Sequence, residues 1–109
     1  MTSETKRQMR IGNDITVFEV ARRQCGGTWV QGTTEAYRFC ALVFSEHADN
    51  PDWEIEQSRI SKLWLQRIED GRTVYNWDRG LDVAAENSAV QAVVRSLVAE
   101  LAACLDGKQ

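Results

Sequence analysis

The sequence predicts an α+β domain: an antiparallel β-meander of four to five strands packed against one C-terminal helix. Three observations carry this. The run Arg59 to Ile68 is closed by Glu69-Asp70-Gly71 and answered by Arg72 to Gly80. It reads as a β-hairpin, because Asp-Gly supplies the positive φ of a hairpin turn and Trp, Tyr, Ile, Val and Thr suit a pleated surface. Tyr37 to Ser45 is apolar on both faces, as in a central strand. Val90, Val93, Val94, Leu97, Val98, Leu101 and Leu105 recur at spacings of three and four, which is one face of a helix.

Taken in order, residues 1–12 carry Lys6, Arg7 and Arg10 against the single acid Glu4 and read as a flexible basic tail. Residues 13–107 form the single α+β domain. Ile15 to Arg23 reads as a strand, because Cys25-Gly26-Gly27 then turns the chain into the next run. The alternative is a short helix capped by Asn13 or Asp14. Thr28 to Thr34 is the next strand, with Trp29 and Gln31 on one face and Val30 and Gly32 on the other. Thr34-Glu35-Ala36 turns it into Tyr37 to Ser45, where Tyr37, Phe39, Ala41 and Val43 oppose Cys40, Leu42 and Phe44.

Glu46 to Glu56 holds five acids, no base and the chain's one proline. Its spacing lacks the glycine and the alternating ligands of a calcium loop, so it reads as a solvated acidic loop. In the hairpin, strict alternation sets Ile60 and Trp64 on one side and Leu63 and Leu65 on the other. Leu81 to Glu86 reads as a connection. Asn87 or Ser88 caps the helix, with Ser88 to Gln91 fitting a capping box and Gly107 ending it.

At 109 residues the chain is one domain, large enough to bury a core without staples. A net charge of −3 argues against a dedicated nucleic-acid binder held by a basic surface. No apolar run is long enough to span a membrane and no signal peptide is apparent, so a cytoplasmic protein is expected. The three cysteines lack metal-site or redox spacing, and they read as free thiols, with Cys25 the most exposed and Cys40 and Cys104 buried. No cofactor and no metal is expected. The one histidine, His47, has no evident nucleophile beside it, and Ser61 has no recognisable base. The sequence therefore points away from an enzyme.

The strongest site candidates are the polar residues at the hairpin ends: Arg59, Ser61 and Lys62 entering, and Asn76, Trp77, Asp78 and Arg79 leaving. Cross-strand ion pairing of Asp78 with Arg59 or Arg79 is one reading. An anion gripped by Arg59, Lys62 and Arg79 beside Trp77 is the other.

Trp29-Val30-Gln31-Gly32-Thr33, Tyr37-Arg38-Phe39, Val43-Phe44, Arg59 to Trp64 and Tyr75-Asn76-Trp77-Asp78-Arg79-Gly80 together resemble a family of small bacterial and phage proteins of unknown function. The likeness spans about Thr28 to Leu101. It implies a β-meander followed by a helix and assigns no catalytic or binding residue.

Two function classes follow: a non-catalytic protein-interaction or regulatory module, and a single-stranded nucleic-acid binder that stacks bases on sheet aromatics. The charge favours the first. One helix covers only one face of such a sheet, so the uncovered apolar surface predicts a protein partner and a two-fold homodimer. Trp29, Trp64 and Trp77 are the expected anchors.

Overall fold

A computed structural model of the chain describes residues 9–11, 15–24 and 26–104, with the side chains of 9–11 and of Cys104 outside the description. The expectations for residues 1–8, the exposure of Cys25, the burial of Cys104, and the roles of Leu105 and Gly107 all lie outside the described residues.

One antiparallel sheet runs in strict sequence order through β1 (Met9–Ile11), β2 (Ile15–Arg22), β3 (Thr28–Thr34), β4 (Tyr37–Val43), β5 (Ile60–Arg67), β6 (Thr73–Asp78) and β7 (Leu81–Val83). Helix α1 (Ser88–Cys104) follows and touches both β1 and β6. The meander and the single helix match the expectation, but the strand count exceeds four to five. Both extra strands, β1 and β7, are three residues long. Residues 9–11 lay in the expected tail and instead pair with β2. Leu81–Val83, expected as a connection, instead pairs with β6. The uncertain segment is a strand, so no N-terminal helix over Ile15–Arg22 covers the second face of the sheet.

Alternation puts Val30, Ala41 and Leu63 in one cross-strand row, and Phe39, Leu65 and Tyr75 in the next. With Ile15, Val17 and Val74 they pack against Val90, Val93, Val94, Leu97 and Leu101 of the helix. The helix starts where Asn87 Oδ1 accepts from the Val90 amide at 2.9 Å, which makes Asn87 the cap.

The register breaks at four places, and two of these bulges position the site. Between β4 and β5, Leu42 pairs with Lys62 and Val43 with Ile60, so Ser61 is the extra residue. A bulge shifts side-chain alternation by one, which carries Ile60 onto the helix side, where it is 0% exposed. This corrects the expected grouping of Ile60 with Trp64. Between β2 and β3 the register slips at Phe18. There the backbones close so tightly that a Cβ on Gly32 would collide with the Thr16 carbonyl.

The β5–β6 hairpin closes through residues 68–72, a longer loop than a tight turn. Gly71 takes φ +70 and its amide donates to the Arg67 carbonyl at 2.9 Å. Arg67 then grips Asp70 at 3.0 Å across the turn.

Candidate functional site

The hairpin-end residues do not converge on one spot. The Ser61 bulge divides them between a cleft at the end of the sheet and the open face that α1 leaves bare.

The cleft lies beneath the loop that follows β4. It has a volume of about 490 Å³, and its lining includes Phe44, His47, Trp53, Arg59, Ser61 and Arg79. The loop holds two short 3-10 turns, Pro51–Trp53 and Ile55–Gln57. It is not simply a solvated acidic run. Glu54 is 4% exposed, and its carboxylate collects three donors. They are the Ala48 amide, the Arg59 amide at 2.8 Å and His47 Nδ1 at 2.9 Å. Burial pushes the Glu54 carboxyl up, but the hydrogen bonds from His47, Ala48 and Arg59 together outweigh it and hold the group below its ordinary value. Trp77 Nε1 donates to the Trp53 carbonyl at 3.0 Å and pins the loop to β6. Sequence reasoning missed Glu54 and His47 because a carboxylate among carboxylates carries no burial signal. The signal available was the pair of apolar neighbours, Trp53 and Ile55, that anchor this part of the loop.

The cationic grip expected of Arg59, Lys62 and Arg79 does not form. Arg59 Nη2 donates to the Ala102 carbonyl near the end of α1 at 2.9 Å. Lys62 pairs across the strands with Asp78 at 3.5 Å. Arg79 Nε lies 4.0 Å from the same carboxylate, and its amide donates to the Ser61 carbonyl at 2.8 Å. Asp78 thus pairs with Arg79 as expected, and with Lys62 rather than Arg59. Asn76 Nδ2 turns to Asp82 at 3.1 Å.

The open face carries Trp29, Cys40, Leu42, Lys62, Trp64, Asn76 and Asp78, which follow one another across β3 to β6 by register. Trp64 Nε1 donates to Thr73 Oγ1 at 3.0 Å, which fixes the indole. A hollow of about 260 Å³ lies among Trp29, Cys40, Lys62 and Trp64. Burial, with Glu19 nearby, pushes the half-buried Cys40 thiol up. Trp77 packs against the core on the α1 side and also borders this hollow beside Trp29 and Trp64. Among the described residues no group of three or more His, Cys, Asp or Glu could hold a metal ion, and no helix is long and apolar enough to cross a membrane.

A family model described as a domain of unknown function, DUF7678, matches residues 28–102. The chain belongs to DUF7678. The DUF7678 match begins at the first residue of β3 and leaves β1 and β2 outside. Phe44, His47, Glu54, Ser61 and Arg79 of the cleft fall within it, as do Trp29, Cys40 and Trp64 of the open face. No curated protein and no solved structure matches the chain.

Proposed function

We propose that this DUF7678 chain is a non-catalytic protein-interaction module that works through the open face of its sheet. The observation that supports it is the bare face itself. Trp29 and Trp64 stand there half-buried around Cys40 and Leu42, with no helix or second sheet over them among the described residues. Aromatic anchors ringed by polar residues are the composition of a protein interface. The charges on this face are mixed: Lys62 pairs with Asp78, and Glu19 lies beside Gln31. A surface of mixed sign complements a second copy of itself, so the occupant is a second chain in a two-fold dimer. Single-stranded nucleic acid would call for a continuous basic stripe beside the indoles, and the pairing of Lys62 with Asp78 interrupts one.

The reading carries a cytoplasmic location and a bacterial or phage origin, supported by the free Cys40 thiol and by the resemblance of the strand motifs. Light scattering on a dilution series tests the dimer. The native chain is expected at dimer mass at micromolar concentration and Trp64→Glu at monomer mass. A native monomer at that concentration removes the dimer. If immobilised native protein also retains nothing that Trp64→Glu fails to retain, the module reading falls with it.

A further inference from the structure

The cleft beneath the loop has no part in the open-face reading, and three features of it point to a ligand. Its volume of about 490 Å³ falls within the range of small-molecule sites, roughly 300–1,000 Å³. Its outer wall is pre-formed, because Glu54, with its three donors, and the Trp77–Trp53 bond hold the loop in place before anything binds. Ser61 is the third feature. It lines the cleft, it is 7% exposed, and its hydroxyl has no hydrogen-bond partner among the described residues. The hydroxyl is therefore free to pair with whatever occupies the cleft.

The remaining lining fixes the chemistry of that occupant. His47 Nδ1 donates to the Glu54 carboxylate, so in the tautomer with a single ring proton Nε2 is the acceptor. Phe44 and Trp53 supply aromatic surface. Arg59 and Arg79 line the cleft together with Glu46, Asp49 and Glu54, so both signs are present and charge selects neither an anion nor a cation. We propose that the cleft binds a small uncharged aromatic molecule bearing a hydroxyl or N–H group, which lies against Phe44 and Trp53, donates to His47 Nε2 and pairs the Ser61 hydroxyl.

Phenol is the probe, with benzoate and benzylamine as charged comparators of similar size. Amide chemical shifts of the native chain are followed during titration at millimolar concentration. Phenol is expected to move the amides of Phe44, His47 and Ser61, and to bind more tightly than either charged comparator. Ser61→Ala is expected to weaken phenol about three- to tenfold, the loss of one hydrogen bond. Without ligand, that variant should keep the native melting temperature to within a few degrees, because the hydroxyl it deletes bonds to no other described residue. His47→Ala removes the proposed acceptor but also one of the three donors to Glu54, so it is read alongside His47→Asn and only where the amide spectrum away from the loop stays native. The proposal is overturned if phenol moves none of these amides, if a charged comparator binds more tightly, or if the Ser61 and His47 variants bind phenol as the native chain does.

Discussion

The guanidinium of Arg59 reaches Ala102 across the molecule, Nη2 donating to that carbonyl at 2.9 Å. It joins the residue just before β5 to the last turn of α1, whose final carbonyls have no partner within the helix. A cation is also the favourable charge at that end of the helix dipole. The backbone of Arg59 sits at φ +68, so the residue carries conformational strain in addition to this bond.

Arg59→Ala should therefore destabilise by about 1–2 kcal/mol, by loss of the bond with the strain retained. Arg59→Gly loses the same bond but relieves the φ, and should be more stable than Arg59→Ala by about 1 kcal/mol. Urea melts of the pair check both numbers. Equal stability of the two variants would remove the strain argument.

Glu54 makes stability depend on pH in a stated direction. Its folded-state pKa lies below the ordinary value of 4.5, so the unfolded state takes up a proton first on acidification. The contribution is fully present above 4.5 and is lost as pH falls through the lowered folded value. Glu54→Gln, which cannot offer a charged acceptor, should cost about 2–3 kcal/mol near neutral pH. The gap between native and variant should narrow as pH drops below 4.5 and through the lowered folded value. Thermal melts across that range decide it, and a gap independent of pH would show that the charge is irrelevant.

Gly32→Ala should destabilise by about 1–3 kcal/mol even though alanine is the better residue on general propensity, because the methyl group meets backbone rather than a movable side chain. The measurement is chemical denaturation of the native chain and the variant. A neutral result would mean that the β2 bulge can step away.

Leu97 sits at the centre of the helix face and is 0% exposed. Leu97→Ala should cost about 2–4 kcal/mol through lost transfer energy and the cavity left behind. Equilibrium urea melts test this, and a change below about 0.5 kcal/mol would place the helix off the sheet.

The parts of this fold legible in the sequence are those with enough residues to show a period. β3, β4, β5 and β6 announce themselves by alternation, and α1 by the spacing of Val90, Val93, Val94, Leu97 and Leu101. Three-residue strands hold too little period to be seen, which is why β1 and β7 were hidden. The Ser61 bulge was illegible for another reason. A bulge is decided by pairing with β4, and nothing in Arg59-Ile60-Ser61-Lys62 states that Ile60 will turn inward. That one extra residue also explains why the hairpin-end polar groups part ways instead of meeting. Glu54 shows the same limit, since its burial is set by donors from Ala48 and Arg59 that the chain supplies only after folding.

The strict order of the strands has a consequence in time. Each strand hydrogen-bonds only to those just before and after it in the chain, so the sheet can be laid down one hairpin after another, with residues 44–59 between β4 and β5 the one long connection within it. The helix is the exception. It is made last along the chain, yet it meets β1, at the opposite end of both the sequence and the sheet. Its docking thus closes the widest separation between paired elements, and before it happens the row from Val30 to Leu63 is wet on both sides. Loss of helix contacts such as those of Leu97 should leave a half-assembled ribbon with its hairpins intact, a species more prone to clump than to unravel.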